Sequence, residues 1–315
     1  MNVSVIIPVY NAAAFLERAV KSALIHKEVK EVLLIEDGSK DNSLQVCKRL
    51  SEQFEVVKLF QHPDGQNLGA GATRNLGILN ATQEYISFLD ADDYFTEIRF
   101  KKEKEIFKNH TDADGVYGAI GVEYIDETGA KAWQAKGHNE TMLTTVNKEV
   151  DPDHLFEFLI GYNKFDGYKG YFHLDGFTVK RKAILKNKLF FDSSLRLHQD
   201  TAFFWKSSYL LRYYTGEFQE PLAIRGIHAT NRFIHAKNLN KSRSKMYRVM
   251  REWSMDNKLD DNVIKHFDKI FFKYFISSKP KIEKPFFYLK ILLTDKYIRG
   301  DFGKRQLRFI WKQLR

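Results

Sequence analysis

Two hydrophobic patterns exchange regularly along the first third of the chain. Val3–Val9 is a β-branched run that breaks at Pro8-Val9-Tyr10-Asn11. Phe15, Leu16, Ala19, Val20, Ala23 and Leu24 then recur at the three- and four-residue spacing of one helical face, with Asn11 as the expected cap. The exchange repeats. Residues 32–35 read as a buried strand ending in Glu36-Asp37-Gly38-Ser39, and Leu44, Cys47, Leu50 and Phe54 mark the next helix. A strand over 56–60, a helix over 69–81 despite its glycines, and a strand over 84–89 follow. Such alternation predicts a largely parallel, doubly wound sheet whose strand ends line one crevice. Asp37 and Asp90 both fall at such ends.

The pattern loosens further on. Residues 115–125 alternate like a strand, and 131–147 are polar and read as a loop. Residues 162–176 carry Tyr162, Phe165, Tyr168, Tyr171 and Phe172 among glycines, a composition that suits either stacking on a ligand or core packing. A helix over 200–212 is expected to begin at His198-Gln199-Asp200-Thr201. From about residue 236 the chain turns basic and helical. Val263, Phe267, Ile270, Phe271 and Tyr274 form one stripe, Ser277-Ser278-Lys279-Pro280 breaks it, and apolar segments over 286–293 and 307–314 lie among Lys and Arg. The expected division is 1–112 and 113–235 as two halves of one α/β domain, and 236–315 as a basic, aromatic helical extension.

Composition narrows the function classes. The 315 residues are 43% hydrophobic and 29% charged, an ordinary balance for a globular protein. A single cysteine, Cys47, excludes a disulfide framework and a multi-cysteine zinc site. No apolar stretch has the length to span a bilayer, and the N-terminus reads as a core strand rather than a signal peptide. A cytoplasmic protein is therefore expected. The net charge of +10 points to an anionic partner such as a phosphorylated substrate or a membrane surface. No nucleic-acid motif accompanies it, so nucleic acid is not expected.

Candidate chemistry concentrates in Phe88-Leu89-Asp90-Ala91-Asp92-Asp93. Carboxylates packed this closely repel one another, and a hard divalent cation would hold them together. A solvated acidic turn that caps the next helix is the other reading. Gly69-Ala70-Gly71-Ala72-Thr73-Arg74 lacks the third glycine of a dinucleotide fingerprint. It reads as a helix start where backbone approaches phosphate and Arg74 supplies a charged fork, or as simple helix packing. Asp200, at the expected start of a helix, suits a helix cap.

Val5-Ile6-Ile7-Pro8-Val9-Tyr10-Asn11, Glu36-Asp37-Gly38-Ser39-Lys40-Asp41, Asn67-Leu68-Gly69 with Ala72-Thr73-Arg74-Asn75, and the acidic cluster occur in that order. Together they resemble the family 2 glycosyltransferases of GT-A fold, strongly over residues 1–110, moderately to about 235, and not beyond. The resemblance implies a GT-A (Rossmann-like) mixed, mostly parallel sheet flanked by helices. Residues 1–112 would be its nucleotide-sugar half and 113–235 its acceptor and catalytic half. It also implies an inverting, Mn²⁺- or Mg²⁺-dependent transfer of sugar from a nucleotide sugar, usually a UDP-sugar. The acceptor would be a hydroxyl of a glycan or lipid-linked molecule in surface-polysaccharide synthesis.

Residue by residue, Pro8, Val9 and Tyr10 would lie against the base, Asp37 would accept a hydrogen bond from it, and Arg74 would reach base or diphosphate. Asp90 would touch ribose or metal, Asp92 would hold the cation, and His228 would join it or the diphosphate. Asp175 and Gly176 would approach the donor sugar. Asp200 would be the base, with Gln199 where the family usually carries an acid. Asp93 is expected to cap or support. The basic extension would pack on the domain or contact an anionic membrane, giving a peripheral protein on the inner face of the cell membrane. Two rivals are a sugar-phosphate nucleotidyltransferase, whose glycine- and lysine/arginine-rich loop is missing at 8–14, and a non-catalytic binding protein of the same fold.

Overall fold

A computed structural model describes residues 1–137, 148–162, 172–231, 239–280 and 283–284. The chain divides into two compact units, Met1–His235 and Ala236–Arg315. In the first, the apolar run Val3–Val9 is β1, and its alternate helix and strand signals become α1 (Leu16–Leu24), β2 (Val29–Glu36), α2 (Ser43–Gln53), β3 (Val57–Gln61), α3 (Ala70–Asn80) and β4 (Tyr85–Phe88). Then follow β5 (Tyr94–Phe95), α4 (Lys101–Asn109), β6 (Gly115–Tyr117), β7 (Gly121–Tyr124), α5 (Glu127–Gln134), α6 (Leu155–Leu159), β8 (Phe177–Lys180), α7 (Arg181–Lys186), α8 (Gln199–Leu210), β9 (Tyr213–Thr215) and β10 (Ala223–Ile227).

Among the described residues a seven-stranded sheet has the order β3-β2-β1-β4-β8-β6-β9, and a three-stranded sheet the order β5-β10-β7. β1, β2, β3 and β4 pair in parallel, as do β6 and β9, while β8 runs antiparallel to both β4 and β6. The chain steps outward from β1 through β2 to β3, then returns to the other side of β1 with β4. That reversal opens a crevice at the carboxyl ends of β1 and β4, where open α/β sheets bind ligands.

Both faces of the parallel strands are covered, so their sequences are near-continuous apolar runs. Ile6, Leu33, Ile35, Ile86 and Phe88 pack one face with α3 and α8 residues such as Ile78 and Phe203. Val5, Ile7, Leu34 and Leu89 pack the other with Leu16, Val20 and Cys47. Helix α3 comes unusually close: a Cβ on Gly77 would sit 2.4 Å from Ile6 Cγ2.

Three local expectations change. Asn11 does not cap α1, which begins at Leu16 without a side-chain cap. It adopts φ 50°, and its Oδ1 accepts from Lys40 N (2.8 Å), lacing the loop after β1 to the loop after β2. The alternation over 115–125 is not one strand. Its two ends are β6 and β7, which belong to different sheets. The polar segment after 131 does not start a loop: Asp126 accepts from Gly129 N (2.6 Å) and caps α5, which runs to Gln134. Most of the aromatic loop (163–171) and the apolar segments 286–293 and 307–314 lie outside the described residues.

The second unit contains helices Leu239–Asp256 and Asp261–Ser277, which pack side by side. Asp260 caps the second through Asn262 N (2.8 Å). Val263, Ile264 and Phe267 are buried, as are Met246 and Met250. Tyr247 stacks on Tyr274 at 5.7 Å, and Arg251 pairs with the buried Asp268. Of the expected stripe, Val263 and Phe267 are buried while Ile270, Phe271 and Tyr274 are half-buried. Among the described residues no helix is long and apolar enough to cross a membrane.

Candidate active site

β4 delivers the acidic cluster to the crevice. Leu89 N continues the ladder to Ile6 O (3.1 Å), and a turn closed by Asp93 N to Asp90 O (3.1 Å) then reverses the chain. Asp90 and Asp92 remain part-exposed, their side chains 30% accessible, whereas Asp93 is buried. Arg74, in the second turn of α3, points its Nη2 at Asp90 Oδ1 (2.5 Å), with Phe191 5.6 Å from its guanidinium. Gly226 at the end of β10 lies so near that a Cβ there would be 2.5 Å from Asp92 O. Its N–H donates to Asp93 Oδ1 (2.8 Å).

This docking brings His228 to Asp92, with Nε2 3.1 Å from Oδ2. The imidazole stacks on Phe15 at 4.5 Å, and Nδ1 meets Thr230 Oγ1 at 2.8 Å. A metal-binding histidine is commonly oriented in this way through its other nitrogen. Asn231 Nδ2 also donates to Asp92 Oδ2 (3.0 Å).

Beneath the loop lies a charged layer. Asp175 Oδ1 accepts from Asp90 N (3.0 Å), and Oδ2 is 3.2 Å from His173 Nδ1. Burial, then the neighbouring Asp175 charge, push the Asp93 carboxyl well above the usual carboxylate range. Burial would raise Asp175 too. The His173 charge beside it, with hydrogen bonds from His173, Asp93 and the Asp90 N–H, instead holds it below that range. Burial opposes protonation of His173, but Asp175 prevails and raises its pKa. The two carboxyls are thus driven apart, Asp93 toward the acid and Asp175 toward the carboxylate.

Asp90, Asp92 and Asp93 each offer an oxygen within 4.8 Å of the others. Asp90, His173 and Asp175 form a second such group. Asp93 is committed to Gly226 and Asp175, which leaves Asp90 and Asp92 as the part-exposed carboxylates open to a cation, with His228 against Asp92. The two carboxylates suit a hard ion such as Mn²⁺ or Mg²⁺.

The other expected residues divide. At the end of β1, Val9 turns its side chain into the core and its carbonyl accepts from Asp37 N (2.9 Å). Pro8 is half-buried and Tyr10 is 45% exposed, so these two have surface for a base. Asp37 is buried, and its carboxylate accepts from Leu68 N (2.7 Å) and Gly69 N (3.0 Å). It therefore shapes the loop before α3, and a base would have to use its remaining lone pairs. Asp175 and Gly176, expected at the donor sugar, are buried. Asp175 carries Asp90, and Gly176 is small because a Cβ there would meet Gly118 O at 2.6 Å.

Gln199 is also buried, its Oε1 against Gly71 of α3. Asp200 is half-buried in the first turn of α8, one residue past the start and not its cap, which is His198 at φ 62°. Its Oδ1 accepts from Thr201 N (2.7 Å). Arg196, just ahead of α8, reaches Asn67 Oδ1 (3.2 Å) and so joins this segment to the Asp37 loop. His173, Asn231 and Asp126 were not singled out from sequence. Nothing local to His173, Asn231 or Asp126 indicates their distant partners.

Residues 4–160 match the family profile Glycosyl transferase family 2, and the chain belongs to that family. An uncharacterized glycosyltransferase of Haemophilus influenzae is 36% identical over 152 residues, 47% of this chain and 54% of the relative. The minor teichoic acid biosynthesis protein GgaA of Bacillus subtilis is 28% identical over 208 residues, 64% of this chain and 42% of the relative. The chain thus spans about half or less of these relatives. The crystal structure of S. aureus TarS 1-349 in complex with UDP-GlcNAc shares the fold. It has a TM-score of 0.63 and 19% identity, and the match covers 90% of this chain and 78% of that one.

Proposed function

We propose that the chain transfers a sugar from a nucleotide sugar, with a UDP-sugar as donor, to a hydroxyl of a glycan or lipid-linked acceptor in surface-polymer synthesis. The observation that carries this reading is the convergence of Asp90, Asp92 and His228 at the ends of β4 and β10, beside Arg74. The UDP-GlcNAc held by the TarS relative and the teichoic acid role named for GgaA support the donor and acceptor classes. Mn²⁺ or Mg²⁺, held by Asp90, Asp92 and His228, would supply positive charge to the departing diphosphate. Pro8 and Tyr10 flank the base, Asp37 orders the loop that borders it, and Arg74 adds charge beside the diphosphate. Asp200 accepts the proton of the acceptor hydroxyl as that oxygen attacks the anomeric carbon from the face opposite the leaving group. One displacement inverts the configuration. In this reading residues 1–112 bind donor, 113–235 complete the catalytic half, and the basic extension meets an anionic surface on the inner face of the cell membrane.

The test is incubation with a UDP-sugar and candidate acceptors. UDP release with an inverted anomeric centre, read by proton NMR, supports transfer. Pyrophosphate release would show nucleotidyl transfer instead, and retained configuration would exclude a single displacement.

A further inference from the structure

The turn 226–231 is held by more groups than a connecting loop requires. Asn231 Oδ1 accepts from His228 N (2.7 Å), and its Nδ2 donates to Gly226 O (3.2 Å). A backbone donor and a backbone acceptor therefore fix which way the amide faces: flipping it would set N–H against N–H and oxygen against oxygen. With the amide so fixed, Nδ2 points at Asp92 Oδ2 (3.0 Å) and His228 Nε2 (3.0 Å) together. From the other side Asp126, which caps α5, accepts from Ala229 N through Oδ2 (2.8 Å). Gly129 of α5 presses on the turn so closely that a Cβ there would be 2.6 Å from His228 Cα.

We infer that Asn231 is a positioning residue of the cation site: its fixed amide holds His228 and Asp92 in the mutual arrangement that a divalent ion needs, and Asp126 buttresses the turn. Asn231 is not a ligand in this arrangement, because an N–H donor faces the site. One amide hydrogen goes to Gly226 O and the other to an oxygen of Asp92, so Asn231 acts on Asp92 and on the backbone of the turn, and the lone pair of His228 Nε2 is left for the ion. The inference rests on the reading of Asp90, Asp92 and His228 as cation ligands. Orienting partners of this kind commonly change metal affinity roughly 10- to 100-fold when removed.

The test titrates the full chain with Mn²⁺ alone and follows free and bound ion by electron paramagnetic resonance. It compares wild type with Asn231→Ala and Asn231→Asp. Asp keeps an acceptor for the His228 N–H but replaces the donor that faces Asp92 with an oxygen. The expected result is a loss of Mn²⁺ affinity of roughly 10- to 100-fold in the alanine variant and a changed bound-ion spectrum in the aspartate variant. A purely structural role predicts that Asn231→Asp, which also loses the donor to Gly226 O, lowers stability in urea unfolding while the bound-ion spectrum stays that of wild type. Affinities within about threefold of wild type and an unchanged spectrum in both variants would overturn the inference while leaving the cation site standing. A wild-type chain that binds no Mn²⁺ would overturn the cation site and this inference with it.

Discussion

Burial and the Asp175 charge push Asp93 toward its protonated form, while His173 and its hydrogen bonds hold Asp175 toward the carboxylate. Asp93 accepts from Gly226 N and faces Asp175, so in its protonated form it supports the loop instead of adding a third charge to it. Asp93→Asn should preserve both hydrogen bonds and leave unfolding free energy nearly unchanged. Asp175→Asn takes from buried His173 the carboxylate beside it and should cost about 2 to 4 kcal/mol. Urea unfolding of the two metal-free variants checks the contrast. Asp200→Asn should lower turnover by about 10²- to 10⁴-fold while donor affinity stays near wild type, as measured by UDP release and calorimetry. At this scale the sequence indicated chemistry better than environment. Three aspartates in four positions led to the expectation of a cation site, but nothing local showed that Asp93 is buried against Asp175, 82 positions along, or that Asn231 faces Asp92. Such pairings depend on β8 and β10 docking at the end of β4, which no short segment encodes.

The elements that build the site are tied together by buried polar groups as well as by apolar packing. Glu31 on β2 accepts from Ser4 Oγ of β1 (2.6 Å), Lys58 Nζ of β3 (2.9 Å) and Thr82 N ahead of β4 (2.9 Å). Burial would raise its pKa, but those hydrogen bonds and the Lys58 charge lower it. A carboxyl lowered on folding adds stability that is complete above the ordinary carboxylate range and is lost as pH falls below it. Glu31→Gln should therefore cost about 1 to 3 kcal/mol near neutral pH, with the difference shrinking in acid, as measured by urea unfolding at both conditions. Strand and helix alternation over the first 90 residues was legible because each element is buried on a face its period reveals. The start of α1 was not, since Asn11 prefers its left-handed turn and the Lys40 N–H to a cap. The split of 115–125 was hidden because β6 and β7 share one alternation yet serve two sheets.

On the scale of the molecule, every residue assigned to the site lies in the unit Met1–His235. A fragment of residues 1–235 should melt cooperatively and bind a nucleotide sugar with the affinity of the full chain. Loss of binding in a folded fragment would assign a donor contact to the remaining 80 residues. The basic character of that remainder was plain from sequence. Its second helix was plain too, because Lys265, Lys269 and Lys273 repeat on the face opposite buried Phe267, whereas Leu239–Asp256 was legible only as part of a helical region. What it touches depends on partners, which no pattern within one chain specifies. The central claim is that Asp90, Asp92 and His228 form a cation-dependent donor site. Isothermal titration with UDP-GlcNAc and other UDP-sugars, with and without Mn²⁺, tests it most directly in wild type and Asp92→Ala. The account predicts binding of one UDP-sugar that requires Mn²⁺ and falls at least tenfold, about 1.4 kcal/mol or more, in the variant. Equal binding without the ion, or in Asp92→Ala, would contradict it.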